Sequence, residues 1–114
     1  MPRGGKRAIA SIYNPKEYTD WSYKLAELIR EELGEDPSIE GPVTVGLVVR
    51  VKRPKTTKLH APKPDVDNYA KAVLDAMTKA RVWVDDTQVE FLAVKKEWAD
   101  YGEIRVEVQE GTPI

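Results

Sequence analysis

Two stretches of the chain place their apolar residues at the spacing of an amphipathic helix. In residues 18–33, apolar side chains follow Trp21 at i+4, i+7 and i+8, and Gly34 marks the end of the pattern. In residues 66–80, a second apolar stripe is formed by Tyr69, Ala72, Val73, Ala76 and Met77. The pattern therefore predicts two main helices, one in each stretch.

The remaining apolar residues follow strand patterns. Residues 43–51 form a nearly continuous β-branched run, which is typical of a strand buried, or nearly buried, on both faces. Residues 89–98 and 104–108 alternate apolar and polar side chains, and the Asp-Tyr-Gly sequence at 100–102 predicts a hairpin turn between them. Residues 8–13 are a weaker strand candidate. The order β-α-β-α-β-β predicts an α+β fold, with the two helices packed on a mixed β-sheet.

Length and composition restrict the class of protein. The chain has 114 residues, which suits a single domain over residues 1–114. It has no cysteine and one histidine, so disulfides, thiolate zinc and a histidine-rich metal site are excluded. No apolar run approaches the roughly 20 residues of a membrane span, and the N-terminus lacks the apolar core of a signal peptide. We therefore expect a cytoplasmic protein with no membrane partner.

The charges are unevenly distributed although the formal net charge is only −1. Residues 1–16 contain four basic residues and no acid, and residues 50–63 contain six basic residues and no acid. Residues 17–40 contain eight acids and two basic residues. This distribution indicates a two-faced molecule with basic segments that bind a polyanion. A solvated surface with a mobile basic loop explains the charges equally well.

Carboxylates form the strongest chemical signal. Asp65 and Asp67 lie at the start of the second predicted helix, Lys71 follows one turn later, and Asp85 and Asp86 come after the helix. If the chain folds back so that the two acidic pairs meet, three or four carboxylates converge beside a lysine. Such oxygen ligands suit a hard cation such as Mg²⁺. A cation held in this way stabilises the attacking and leaving oxygens of a phosphodiester.

Each of these residues also has an ordinary structural explanation. Asp65 and Asp67 suit helix capping and the helix dipole, and Asp67 with Lys71 suits a surface ion pair at i, i+4. Asp85 and Asp86 suit a solvated loop before a strand. A calcium-binding loop is excluded, because Tyr69 stands where that pattern needs an oxygen ligand. Spacing alone leaves capping and metal binding open.

Taken together, the motifs resemble the RusA family of Holliday junction resolvases, which phages and prophages often encode. The resemblance covers residues 6–108 and rests on Lys63-Pro64-Asp65-x-Asp67-Asn68, Lys71, Leu74-Asp75-Ala76, Val82-Trp83-x-Asp85-Asp86-x-Gln88-Val89, Tyr13-Asn14-Pro15 and Trp21. Members of this family usually begin with a hydrophobic strand. Here the residues before Tyr13 carry only a weak strand signal, and this is the one departure from the family pattern.

The resemblance implies a homodimer that binds four-way DNA junctions and cuts two strands symmetrically, in DNA recombination and repair. It implies that Asp65, Asp67 and Asp86 bind Mg²⁺, or alternatively Mn²⁺, with Asp85 beside them, and that Lys71 is the catalytic lysine. A two-fold dimer matches a two-fold junction. The residues that we expect to contact DNA phosphates are Arg7, Lys52, Arg53, Lys55, Lys58, His60 and Lys63.

Two other classes of function stay open at this point. A non-catalytic branched-DNA-binding module would bind junctions in EDTA and never cut them. A structural or interaction domain, in which the acids only cap a helix, would show no divalent-ion effect and no preference for branched DNA. Leu74, close to the polar side of the second helix, is a further hint of a second subunit.

Overall fold

The computed structural model describes residues 6–15, 20–56, 58–60 and 66–111. They form a four-stranded mixed sheet whose apolar face is covered by two helices. In chain order the elements are β1 (Arg7–Tyr13), α1 (Trp21–Leu33), β2 (Val43–Lys52), α2 (Val66–Lys79), a 3₁₀ turn (Asp86–Gln88), β3 (Val89–Ala99) and β4 (Glu103–Glu110). The predicted α+β class, the mixed sheet and the order β-α-β-α-β-β are confirmed.

The order of strands in the sheet is β1-β4-β2-β3. β2 pairs antiparallel with β4 and parallel with β3, so it separates the two strands that follow it in the sequence. The predicted hairpin at residues 100–102 is therefore wrong, because this turn carries the chain across the end of β2. The turn motif reports only the local backbone geometry. In the sheet, the apolar strand β2 takes a central position, where it pairs with β3 on one side and β4 on the other. The N–H of Arg53 donates to the carbonyl of Ala99 at 3.1 Å and links the ends of β2 and β3.

Only one face of β2 is fully buried. The helix-facing residues, none more than 1 % exposed, are Val43, Val45, Leu47 and Val49. The residues between them are half-buried on the opposite face and are Thr44, Gly46, Val48 and Arg50. The second face is thus less buried than we expected, because both helices pack on the same side of the sheet.

The first strand, which is weak in the sequence, is fully formed. β1 pairs with β4 from Arg7 opposite Gln109 to Tyr13 opposite Glu103. Its inward-facing residues are buried and are Ala8, Ala10 and Ile12. Two of these three are alanine, which explains why the apolar signal of this segment is low although the strand is complete.

The helices begin and end close to their predicted positions. The carboxylate of Asp20 accepts the N–H of Tyr23 at 3.4 Å and caps α1, and Gly34 ends the helix with a φ of 65°. Residues 16–19, where we predicted the start of α1, lie outside the described residues. The buried residues of the two helices are Leu25, Ala26, Ile29, Leu33, Ala70, Val73, Ala76 and Met77.

The two helices also contact each other. The rings of Trp21 on α1 and Tyr69 on α2 are tilted against one another, with centroids 6.2 Å apart. Leu74 is half-buried and packs against the core, so it is not an isolated apolar residue on a polar surface. No helix in the described ranges has the length and apolarity that crossing a membrane requires.

Candidate active site

The chain reverses direction directly after α2. The N–H of Val82 donates to the carbonyl of Met77 at 3.1 Å, and the N–H of Arg81 donates to the carbonyl of Thr78 at 3.0 Å. This pair of bonds is a Schellman termination, which places Arg81 in the left-handed region with a φ of 64°. The turn brings the residues that follow it against the last turns of α2.

Trp83 fixes this reversal. Its side chain is 1 % exposed, and its indole N–H donates to the hydroxyl of Thr78 at 2.7 Å. The N–H of Ile39 donates to the carbonyl of Val82 at 2.9 Å, which joins the segment to the loop before β2. A fully buried tryptophan with its N–H satisfied is a rigid support for the acidic residues that come next.

Asp85 and Asp86 have different environments. The carboxylate of Asp85 accepts the N–H of Thr87 at 3.2 Å and caps the 3₁₀ turn, and the Gln88 side chain accepts the N–H of Asp85 at 2.9 Å. Asp85 thus caps a turn, whereas we expected capping for Asp65 and Asp67 and a solvated loop for Asp85. Asp86 is exposed beside it and is the first residue of the turn.

The Asp86 carboxyl is crowded by other acids. Its pKa lies above the usual value, first because it shares a hydrogen bond with the Asp85 carboxyl and then because neighbouring atoms desolvate it. The negative charges of Asp85 and Asp75 raise this pKa further. Asp75 was not among the predicted site residues, although its place in the Leu-Asp-Ala motif and in the i, i+4, i+8 series was a usable signal.

Asp67, Lys71 and Asp75 lie along one exposed side of α2. Asp67 and Asp75 are two turns apart, which is about 12 Å along the helix axis. Within the described residues, neither Asp67 nor Lys71 forms an ion pair, so the surface pair allowed by their spacing is not formed. The structure thus places Asp75 near enough to Asp86 for its charge to act on that carboxyl, with Lys71 and then Asp67 farther toward the start of α2.

The ligand atoms that this surface offers are of the chemical type that a hard divalent cation prefers. They are exposed carboxylate oxygens, and such a cation would offset the negative charges of Asp85 and Asp75 beside Asp86. Asp65, the third predicted ligand, lies outside the described residues. Among the residues that are described, no three His, Asp or Glu side chains stand close enough together to hold a metal ion. The metal site therefore stays a prediction.

The basic residues after β2 are exposed at one end of the sheet. They comprise Lys52, Arg53, Lys55, Lys58 and His60. The indole N–H of Trp98 donates to the carbonyl of Leu59 at 2.9 Å and attaches this loop to the end of β3. Within the described ranges no ion pair neutralises these cations. Lys63 lies outside the described residues.

Arg50, which we counted with this basic segment, has a structural role instead. It lies in β2, and its guanidinium donates to Glu103 at 2.7 Å and to Glu97 at 2.9 Å. These bonds, the one to Glu103 first, raise the pKa of Arg50. Because Glu103 is only 3 % exposed, the Arg50 charge is held inside a partly buried network and is not presented to DNA.

Arg7 is also separated from the basic loop. It pairs across β4 at the end of the sheet where β2 begins, whereas Lys52 lies where β2 ends. The Arg7 guanidinium donates to Glu107 at 2.6 Å. The structure therefore does not place Arg7 with the other predicted DNA contacts.

A shallow groove of about 240 Å³ lies on the sheet face opposite the helices, between β2, β3 and β4. Its lining includes Gly46, Ala93 and Arg105, and it does not include Asp67, Asp75, Asp85 or Asp86. The acidic residues lie on the open surface of α2 and the 3₁₀ turn, where a strand of DNA has access to them.

One family sequence pattern matches nearly the whole chain. The pattern described as Endodeoxyribonuclease RusA matches residues 2–109 of 114. A comparison with curated proteins gives no match. The matched residues include β1, both helices, the basic loop and the acidic residues of α2 and the 3₁₀ turn. The chain therefore belongs to the RusA family of endodeoxyribonucleases.

Proposed function

We propose that the protein is a Mg²⁺-dependent endodeoxyribonuclease that resolves four-way DNA junctions by paired symmetric nicks in recombination and repair. The observation that carries the proposal is the exposed row of Asp67, Lys71 and Asp75 on α2, with Asp86 beside its last turns, in a chain of a nuclease family. Capping of the 3₁₀ turn accounts for Asp85, and the helix dipole accounts for Asp67 in the first turn of α2, but neither explains Lys71, Asp75 and Asp86.

Asp67 and Asp86, together with Asp65 and Asp85, would hold Mg²⁺ or Mn²⁺. When bound, the ion supplies Lewis-acid stabilisation of the phosphate oxygens and lowers the pKa of water. The Asp85 carboxylate stabilises the turn by accepting the Thr87 N–H, and it adds negative charge beside Asp86. Both residues of this pair are exposed, but only the Asp85 carboxylate accepts the capping bond from the Thr87 N–H.

Lys71 supplies the positive charge of the site. Lys71 lies one turn after Asp67 on the same exposed side of α2. A cation beside the reacting phosphate would stabilise the negative charge that develops on it in the transition state. Because no ion pair within the described residues engages Lys71, its charge is available for that role.

The basic loop compensates for the repulsion between the carboxylates and DNA. Lys52, Arg53, Lys55 and Lys58 are flexible, exposed cations, and such side chains bind phosphates without reading bases. His60 lies in the same loop. We propose that this loop holds the junction by its backbone while α2 and the 3₁₀ turn meet the strand to be cut.

We also propose that the protein acts as a homodimer that pairs two copies of β3. β3 lies at an edge of the described sheet and has 11 residues, with Phe91 49 % and Leu92 38 % exposed on opposite faces. Long apolar edge strands readily pair with another strand. Antiparallel pairing centred on Ala93 sets Glu90 of one copy opposite Lys96 of the other, so the charges are complementary.

Sedimentation analysis tests the dimer. Phe91→Lys should shift the wild-type dimer toward monomer, because in this register it places a second positive charge opposite Lys95 of the other copy. Tyr23→Lys is the matched control, since Tyr23 is 58 % exposed on α1, which packs against α2 and against β1 at the opposite edge of the sheet. A wild type that sediments as a monomer at all concentrations, or a Phe91→Lys variant that stays dimeric, would contradict pairing through β3.

The nuclease proposal is tested with a labelled four-way junction and a linear duplex of the same sequence. We expect the wild type to bind the junction preferentially and to cut it in Mg²⁺ but not in EDTA. Asp67→Asn should bind the junction as tightly and leave it uncut. Cleavage retained by Asp67→Asn would remove its metal role, and wild-type binding without any cutting would identify a non-catalytic module instead.

A further inference from the structure

We propose that Gln88 is a positioning residue, which sets the Asp86 carboxylate for divalent-ion binding; this inference rests on the proposed nuclease function. Gln88 is half-buried at the end of the 3₁₀ turn, two residues after Asp86. Its side-chain amide forms four hydrogen bonds, so both the oxygen and the nitrogen are fully used.

The oxygen of this amide shapes the acidic turn. Gln88 Oε1 accepts the backbone N–H groups of Val84 and Asp85, both at 2.9 Å. In return, the Asp85 carboxylate accepts the N–H of Thr87 at 3.2 Å, which completes a reciprocal capping box around Asp86. The backbone on both sides of Asp86 is thereby held in one conformation.

The nitrogen of the same amide attaches the turn to the body of the protein. Gln88 Nε2 donates to the carbonyls of Ile39 at 2.7 Å and Gly41 at 2.9 Å, in the loop between α1 and β2. Ile39 is 2 % exposed, and Val43 directly after this loop is completely buried. The turn that carries Asp86 is therefore attached by hydrogen bonds to a segment next to the buried core, although Asp86 itself is exposed.

Glutamine is the side chain that these four partners require. Glutamate accepts both N–H groups, but it brings a negative oxygen against the Ile39 and Gly41 carbonyls. Leucine has a similar size and forms none of the four bonds. Asparagine is one methylene too short to reach both sides. Residues that orient a metal-binding carboxylate typically change metal affinity or activity by about 10- to 100-fold when they are replaced.

Mg²⁺ binding measured by calorimetry is the first readout, because it does not depend on cleavage. Gln88→Leu should weaken Mg²⁺ binding by about 10-fold or more and raise the Mg²⁺ concentration for half-maximal junction cutting equally. Junction binding in EDTA should stay unchanged. Amide exchange at Val84 and Asp85 should accelerate in Gln88→Leu but much less in Gln88→Glu, which keeps the acceptor oxygen.

Thr87→Ala is the matched control in the same turn. The Thr87 backbone N–H forms the capping bond, and the substitution preserves that group. It should therefore bind Mg²⁺ and cut the junction like the wild type. If Gln88→Leu does not fold, Gln88→Met provides the same comparison, because methionine also forms none of the four bonds and adds no charge beside Asp86.

The possible failures of the two proposals are distinct. Equal Mg²⁺ affinity in the wild type and the folded Gln88 variants overturns the positioning role, whatever the cutting activity. A wild type that binds Mg²⁺ and never cuts overturns the nuclease function, and the effect of Gln88 on affinity then decides its role separately. A wild type that binds no divalent ion overturns both proposals.

Discussion

Replacing Arg50 with methionine should destabilise the fold without weakening the DNA binding of the protein that remains folded. The Arg50 guanidinium donates to Glu103 at 2.7 Å and to Glu97 at 2.9 Å, and the Glu103 side chain is only 4 % exposed. Methionine retains much of the aliphatic stem of Arg50 but leaves the Glu103 carboxylate buried without its cation. The loss of its cation leaves the buried Glu103 charge unpaired, and an unpaired buried charge lowers the free energy of unfolding.

The expected cost follows from the exposure of the three side chains. Breaking a fully buried pair costs about 3–5 kcal/mol, because the remaining charge has lost both water and partner. Here Arg50 is 28 % and Glu97 is 32 % exposed, so water reaches part of the network. We therefore expect about 2–3 kcal/mol, which corresponds to a fall in melting temperature of about 10 °C in a domain of this size.

Urea denaturation and junction binding as a function of salt measure the two effects separately. Arg53→Met is the matched control, because Arg53 is exposed three residues later in the basic loop. It should change stability by less than about 0.5 kcal/mol. It should also weaken junction binding and reduce the dependence of that binding on salt. Glu103→Gln added to Arg50→Met should recover part of the lost stability, because it removes the unpaired charge.

The opposite pattern would refute this interpretation of Arg50. If Arg50→Met leaves the free energy of unfolding within about 0.5 kcal/mol of the wild type, the buried pair contributes little. If it also reduces the salt dependence of junction binding as Arg53→Met does, Arg50 contacts DNA. The original assignment of Arg50 to the basic loop would then be correct.

Three further predictions concern a backbone position, the pH dependence of stability and the basic loop. Arg81→Gly should stabilise the protein by about 0.5–1 kcal/mol in urea denaturation, because glycine adopts the left-handed φ of 64° without strain; lower stability would contradict this. The pKa of Glu97 is lowered, mainly by Lys95, so its ion pairs add stability above the usual value of 4.5 and lose it as the pH falls. Glu97→Gln should therefore flatten the acid side of the stability profile, and an unchanged profile would contradict this role. Lys55→Ala with Lys58→Ala should lower the salt slope of junction binding by about 2, and an unchanged slope would exclude the loop as a DNA contact.

The elements of the fold were largely predictable because their signals are local. The spacing of Leu25 and Ile29 indicated α1, and the alternation of Ile104, Val106 and Val108 indicated β4. The strand order was not predictable in this way. The turn at residues 100–102 looks like a hairpin locally, whereas pairing of β2 between β3 and β4 depends on contacts distant in sequence.

The residues of the candidate site that belong to sequence motifs were predictable. The motifs identified Asp67, Lys71 and Asp86, but not the approach of Asp75 to Asp86. That approach depends on the left-handed turn at Arg81, a non-glycine residue that carries no clear turn signal. Charge alone also did not separate the paired Arg50 from the exposed cations after it, because an ion pair across strands is invisible in the sequence.

Mapping of nicks on all four strands of a labelled junction tests the proposed activity most directly. The wild type should produce paired nicks at symmetric positions in two opposite strands, in Mg²⁺ or Mn²⁺ and not in EDTA. Asp86→Asn should produce none, because the exposed carboxylate beside Asp75 and Asp85 is lost. Nicking in EDTA, or the same nicks from Asp86→Asn, would contradict a cation-dependent site at this turn, and an uncut junction with the wild type would contradict the nuclease function itself.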